Sequence, residues 1–251
     1  LKQKIKLGGV NYLNALPLIY GIRNSALNQE IDLTLDYPAK VADQLRAGEL
    51  DMGLVPVAVM ASIQGSKVIG NYGIAADGKV ASVCIFSDVP ISSVKKLYLD
   101  YQSRTSVRLA NILLTHHWKM DVTYLPAHAD YIREIKGDTA GVIIGDRALQ
   151  NLKNFPYVYD LATVWKEFSG LPFVFAAWIG TRDFSDDFIQ AFNEANAAGM
   201  DYLEEIIANH PFPAYDLRKY YLEDVHYELD TSKRKGLALF LELLHETPLV
   251  I

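Results

Sequence analysis

The 251-residue sequence contains a single cysteine, Cys84, so it forms no intramolecular disulfide and no thiolate cluster for a metal within one chain. Cys84 lies in the apolar run V-A-S-V-C-I-F, the setting of a buried, inert thiol rather than a nucleophile. No apolar stretch approaches the roughly 18 residues that a membrane span requires, which excludes an integral membrane protein. Basic residues are in deficit, with 24 Lys+Arg against 30 Asp+Glu and a net charge of -6. Nucleic-acid binders usually show the opposite balance. A small anionic ligand remains compatible, because local donors override net charge. The six histidines show no metal-ligand spacing. His116 and His117 are neighbours that face different sides of a helix, and His128, His210, His226 and His245 are scattered, so no metal site is expected. Internal repeats and low-complexity tracts are missing as well.

What is present is an ordinary folded composition: 50% hydrophobic, 22% charged and 11% aromatic, with 15 Tyr. That excludes disorder. At ~100–200 residues per domain, the length suggests one large domain or two smaller ones. The N-terminus reads as a first strand without the apolar core or cleavage site of a secretory signal, so the expectation is a cytoplasmic protein. Residue 1 is not Met, which leaves open a segment removed ahead of it.

Short apolar runs alternate with amphipathic segments, the pattern of an α/β protein with largely parallel strands. Strands are expected near Ile5–Val10, Asp32–Asp36, Met52–Val55, Val80–Ser87, Leu97–Asp100, Val122–Tyr124, Gly141–Ile144 and Phe173–Ile179. Helices fit Leu13–Arg23, Arg104–Trp118, Ala129–Ile135, a short segment from Asp146, and Pro38–Ala47 with Pro38 at its first position and Gly48 past its end. From Phe184 onward the chain turns helical over Phe184–Asn209, Asp216–Val225 and Ser232–Glu246. Two places read as crossings between domains: S-D-V-P at Ser87–Pro90 and the strand Phe173–Gly180. They put residues 1–88 and 178–251 in a first lobe with the C-terminal helices, and 89–177 in an inserted second lobe. Two passages between lobes make a hinged cleft, and small ligands favour clefts.

Several segments join a strand to polar residues where a helix begins, the place where ligands gather in open α/β sheets. In G-G-V-N-Y-L-N-A-L-P-L, Asn11 and Asn14 stand three apart after the first strand; capping by Asn11 with Asn14 filling the first turn is the competing account. D-M-G-L-V-P, with Gly53, reads mainly as packing. Ser82 and Ser87 interrupt a buried strand, and their hydroxyls need a partner in the fold or in a ligand. Neither sits in a G-x-S-x-G elbow, so a serine hydrolase is excluded. Ser103-Arg104-Thr105-Ser106 bring hydroxyls, a guanidinium and helix N–H groups together, a receptor for carboxylate or phosphate. The Gly and Lys features of a P-loop are absent, so a nucleoside triphosphate is not expected. In I-I-G-D-R-A-L, Gly145 permits a sharp turn and Asp146 either caps the helix or lines a site. Arg108 reads as surface, and the positions of Lys40 and Arg147 stay open.

The segments V-N-Y-L-N-A-L-P-L, S-V-C-I-F-S-D-V-P-I, S-R-T-S-V-R-L-A-N-I-L-L, G-V-I-I-G-D-R-A-L and Y-D-L-A-T-V-W-K-E-F-S-G-L-P-F-V-F-A-A-W together resemble the chorismate dehydratases of the futalosine route to menaquinone. The resemblance runs from Val10 to Trp178. The sister enzyme later in that route carries S-x-C-P-N-D in its first loop, which is absent here. One departure follows Pro56: Val57-Ala58-Val59 is apolar where many members are polar or acidic, so that loop is given no catalytic role.

The resemblance implies a two-lobed, periplasmic-binding-protein-like fold of type II with a central ligand cleft and two crossings between lobes. It implies dehydration of chorismate to 3-[(1-carboxyvinyl)oxy]benzoate without a cofactor, aromatisation supplying the driving force. Asn14 and Ser82 match the positions expected to make catalytic hydrogen bonds. Asn11, Ser103, Arg104, Thr105, Ser106, Gly145 and Asp146 match substrate-binding positions. The proposed loops hold no obvious general base, which points to the substrate's own enolpyruvyl carboxylate. A non-catalytic binding protein for a small carboxylate, a regulator's effector module and a lyase for a related dicarboxylate are the alternatives. The expected partner is a small molecule, with neither nucleic acid nor membrane; the sequence leaves the oligomeric state open.

Overall fold

The computed structural model describes residues 4–249; residues 1–3 and 250–251 of the sequence-derived first lobe lie outside the described residues. Along the chain the strands are β1 (Ile5–Val10), β2 (Ile31–Asp36), β3 (Met52–Pro56), β4 (Lys67–Ala76), β5 (Val83–Ser87), β6 (Lys96–Leu99), β7 (Thr123–Pro126), β8 (Thr139–Ile144), β9 (Tyr157–Asp160), β10 (Phe173–Gly180) and β11 (His226–Glu228). The helices are α1 (Leu16–Arg23), α2 (Pro38–Arg46), α3 (Arg104–Ile112), α4 (Gly145–Asn151), α5 (Leu161–Ser169), α6 (Asp186–Ala198), α7 (Leu203–Asn209), α8 (Leu217–Lys219) and α9 (Thr231–Glu246). The chain forms two units: one takes the chain up to Ala75 and again Val174–Asp230, the other Ala76–Phe173 and the chain from Thr231.

The first unit is built on a six-stranded sheet in the order β11-β4-β10-β3-β1-β2. β1 runs parallel to β2 and β3, whereas β10 is antiparallel to β3 and β11 to β4. The centre of the sheet is where the most apolar segments lie. Every residue of M-G-L-V-P in β3 and of F-V-F-A-A-W-I-G in β10 is buried, as a strand covered on both faces requires. α1 packs against α6 at very short range. A Cβ placed on Gly21 would stand 2.0 Å from the Ala195 carbonyl oxygen, and one on Gly199 2.0 Å from that of Pro17, so both positions demand glycine.

The second unit carries a five-stranded sheet, β7-β6-β8-β5-β9. β6 is parallel to β7 and β8, and β5 is antiparallel to β8 and β9. Both sheets are therefore mixed, not largely parallel. The lobe boundaries expected from sequence shift accordingly. β5 is an interior strand of the second sheet, so Ser87–Pro90 is no crossing; the chain changes unit after Ala75 instead. It returns after Phe173 and passes a third time after Asp230, one passage more than expected.

That third passage exists because α9 belongs to the second unit. The Arg108 guanidinium donates to the carbonyls of Leu244 and Thr247, at 2.7 Å each. Asn111 donates to Thr247 at 3.3 Å, and His116 Nε2 lies 2.8 Å from the Thr247 hydroxyl. Phe240 meets Phe173 edge-on at 5.0 Å between ring centroids. Arg108, expected on the surface, thus closes the C-terminal end of α9, where a cation suits the helix dipole.

Candidate functional site

Each unit presents one polar rim at strand ends. In the first, β1 stops at Val10 and Asn11 continues its pairing, donating its N–H to the Asp36 carbonyl at 3.2 Å. The exposed Asn11 caps nothing: Tyr12 precedes the 3-10 turn Leu13–Ala15, Ala15 precedes α1, and neither turn nor helix has a side-chain cap. Leu13 and Ala15 are buried, and Pro17 enters α1 where its missing N–H is harmless. Between them, Asn14 holds its Oδ1 buried with no hydrogen-bond partner among the described residues. Leaving such an acceptor unpaired costs about 1–3 kcal/mol, an expense folds tolerate mainly where something else supplies the bond. Lys40, whose place was open, forms an exposed ion pair with Asp36 at 2.5 Å, and that cation holds the Asp36 carboxyl below its usual range.

The rim of the second unit is denser. Residues 80–82, expected as strand, form a tight turn ahead of β5 in which Ser82 N–H donates to the Val80 carbonyl at 2.7 Å. Ala81 stands at φ 62°, in the left-handed region that costs a side chain energy. Ser82 is fully buried, and its hydroxyl, like Asn14 Oδ1, has no hydrogen-bond partner among the described residues. Its carbonyl accepts from Gly145 N–H at 2.7 Å, which brings the G-D-R turn beside it. Gly145, at φ 63°, makes the turn from β8 into α4. The residue before α4 is Ile144, so Asp146 sits inside its first turn rather than capping it.

Asp100, at the end of β6, gathers the remaining parts. Its side chain is wholly buried and bonds Arg147 Nη2 through both oxygens, at 2.9 and 2.7 Å. It also accepts from Gln102 N–H at 3.0 Å, Ile144 N–H at 3.2 Å and the Tyr131 hydroxyl at 3.1 Å. Burial first, and then the Asp100 charge, push the Tyr131 phenol far up, so it stays a donor. Ser103 caps α3, accepting from Ser106 N–H at 3.1 Å while its hydroxyl bonds that of Ser106 at 2.8 Å. Thr105 and Ser106 are buried beside it, with Arg104 partly exposed. The second unit therefore brings together Ser82, Gly145, Asp146 and the Ser103–Ser106 turn.

Sequence reading missed Asp100 in this cluster and left Arg147 unplaced. The signal for Asp100 was a carboxylate closing the apolar strand L-Y-L-D directly before the polar turn. Cys84 is buried with its thiol pushed well up by desolvation, as an inert thiol is. Ser87 Oγ accepts from Val89 N–H at 3.2 Å, which supplies the partner its burial needs. Gly53 lies against α2, a Cβ there falling 3.0 Å from Val41, which is a packing role.

Two α/β units with open mixed sheets and polar turns at strand ends have the fold of the periplasmic-binding-protein-like class, as alignment with solved structures shows. A crystal structure from Archaeoglobus fulgidus aligns over 98% of both chains with TM-score 0.74 at 14% identity. The periplasmic aliphatic sulphonate binding protein of Escherichia coli aligns over 98% of this chain and 88% of its own, with TM-score 0.63 at 14% identity. Within that class the chain belongs to the menaquinone biosynthesis family, whose profile matches residues 5–246. It is similar to the chorismate dehydratase of Thermus thermophilus, 28% identical over 95% of this chain and 94% of the relative. The chorismate dehydratase of Campylobacter jejuni is 26% identical over 94% and 95%.

Proposed function

We propose that this protein is a chorismate dehydratase, a hydro-lyase converting chorismate to 3-[(1-carboxyvinyl)oxy]benzoate. The observation that carries the reading is that Asn14 Oδ1 and Ser82 Oγ, each beside a turn at a strand end, are buried without a hydrogen-bond partner among the described residues. Buried polar atoms are almost always satisfied, and Gln44 Oε1, Arg108 Nε and the Tyr227 hydroxyl are orphans as well; what supports a substrate role for Asn14 and Ser82 is that their segments also resemble dehydratase motifs.

The chemistry balances without an added reagent. The C3–H proton passes to the substrate's enolpyruvyl carboxylate, the C3–H electron pair forms the C3–C4 double bond, the C4–O bond breaks, and the departing hydroxide takes that proton from the carboxyl group and leaves as water. The ring becomes aromatic, and the protein's share is orientation and electrostatics. The Asn14 amide, with both a donor and an acceptor, orients the reacting carboxylate and the departing hydroxyl. Ser82 donates to the leaving oxygen. The Ser103–Ser106 turn with Arg104 anchors a carboxylate, the Ser106 hydroxyl keeping its own proton to donate after accepting from Ser103. Gly145 and Asp146 line the substrate beside Ser82, and Asn11 is a further substrate-binding residue.

Incubating the protein with chorismate alone and weighing the products tests the reading. Conversion to a species lighter by one water, with an aromatic absorbance, is the expected result. Binding without consumption would favour a carrier of small carboxylates instead.

A further inference from the structure

The segment Y-D-L-A-T-V-W contributes a residue that the reaction scheme leaves unused. Asp160 ends β9 and caps α5: its Oδ1 accepts from Ala162 and Thr163 N–H, both at 3.1 Å. A cap needs no more than that. Its other oxygen reaches across to the turn before β5 and accepts from Val80 N–H at 3.0 Å and Ala81 N–H at 2.6 Å. One half-buried carboxylate therefore holds four backbone amides from two segments far apart in sequence.

The turn it grips has its own Ser82 N–H to Val80 carbonyl bond, but it is strained. Ala81 is in the left-handed region, a conformation that persists only where its surroundings impose it. Packing does not fully back the turn, because a cavity of about 530 Å³ is lined by Ala81, Cys84, Trp118, Tyr159, Asp160 and Thr163. The next residue is Ser82, whose hydroxyl is buried and unpartnered, so no hydrogen bond of its own fixes it. We propose that Asp160 is a positioning residue: its carboxylate clamps the Val80–Ala81 amides and thereby fixes the Ser82 hydroxyl for the substrate. The inference rests on the reading of Ser82 as a catalytic group. Desolvation raises the Asp160 carboxyl above its ordinary range against the pull of the four amides, consistent with a group kept for its hydrogen bonds.

The test is a double-mutant cycle on chorismate turnover with S82A, D160N and the double variant, each assayed well below its melting temperature. Asp160→Asn keeps one oxygen for the α5 cap and turns an N–H₂ group toward Val80 and Ala81; D160S, which caps but cannot reach, replaces it if D160N is insoluble. S82A is expected to lower kcat by about 10²–10³-fold. D160N is expected to lower kcat by about 10–100-fold with KM within about threefold, as misplacement of a catalytic group does. The double variant should be no slower than S82A. Multiplying effects, or a D160N enzyme with wild-type kcat, would overturn the clamp while leaving Ser82 catalytic. Normal turnover by S82A would instead overturn the reading of Ser82, and the clamp's catalytic role with it. In the unaltered protein, hydrogen exchange at the Val80 and Ala81 amides should be slow; exchange at the rate of an exposed loop would refute the clamp directly.

Discussion

Replacing Ser82 by alanine separates stability from activity in a way few active-site changes do. The hydroxyl is fully buried and makes no hydrogen bond, so folding strips it of water and returns nothing. Such a group costs about 1–3 kcal/mol, and its removal leaves a gap of one oxygen atom, worth a few tenths of a kcal/mol in lost dispersion contacts. Ser82→Ala is therefore expected to stabilise the protein by about 1 kcal/mol, raising Tm by roughly 2–4 °C for a chain of this size. The backbone bonds of the turn do not involve the side chain: Ser82 N–H still reaches the Val80 carbonyl, and Gly145 N–H still reaches the Ser82 carbonyl. Urea unfolding followed by circular dichroism measures the effect as a higher midpoint at unchanged slope. Turnover of chorismate should fall by about 10²–10³-fold, the loss typical of a donor aimed at developing negative charge. A variant destabilised by 1 kcal/mol or more would show that the hydroxyl has a partner in the fold, and the argument from orphaned oxygens would fail.

Other positions test the frame around that site. Asp100→Asn breaks a buried ion pair and leaves Arg147 without its carboxylate, so it should destabilise by about 3 kcal/mol; a urea midpoint within error of wild type would refute the assignment of Asp100 as the organiser of the rim. Arg108→Met removes two short bonds to the end of α9 and should cost about 2–3 kcal/mol, lowering Tm by roughly 5–10 °C and increasing proteolysis near Leu244, whereas unchanged digestion would refute the tie. Burial, with Asp121 nearby, pushes the Tyr124 phenol up to about 12, so the folded state keeps this proton more firmly than the unfolded one. Its contribution to stability is whole below pH 10 and is lost as pH rises to about 12; Y124F should flatten that part of the stability–pH curve, and an unaltered slope would contradict the burial argument.

Much of the fold is legible in the residues, and the exceptions have physical causes. β1 and α2 stand where periodicity, Pro38 and Gly48 put them, because local chemistry and tertiary packing agree there. β4 is missed because the two glycines of K-V-I-G-N-Y-G-I-A-A interrupt its pattern: Gly70 does take φ 73°, yet pairing with β11 and β10 keeps the strand going. β9 has only four residues, and its partner β5 is distant in sequence, so neither length nor alternation betrays it. The helix expected over Arg104–Trp118 is α-helical to Ile112 and then widens to a π-helical turn that ends at Lys119, at φ 54°. α9 was placed with the wrong unit because the residues that hold it, Arg108, Asn111 and His116, look like ordinary helix polar positions until their partners are known.

For the candidate site, motif spacing identified the turns but not what joins them. Asn14, Gly145 and the Ser103–Ser106 turn are conspicuous because polar residues follow strands, and Ser82 because it interrupts an apolar run. Asp100 and Asp160 act through backbone amides contributed by other segments, a role that no local pattern encodes. The capping account of Asn11 fails for the converse reason: the pattern fits, but the chain keeps Asn11 in register with Asp36 and opens the helix later.

Asn14→Ala, assayed at saturating chorismate with product identified by mass, addresses the account at its centre. The protein should still fold and gain slightly in stability, since an unpaired buried oxygen is removed, while formation of the dehydrated aromatic ether drops by two orders of magnitude or more. Dehydration by N14A at the wild-type rate would contradict it.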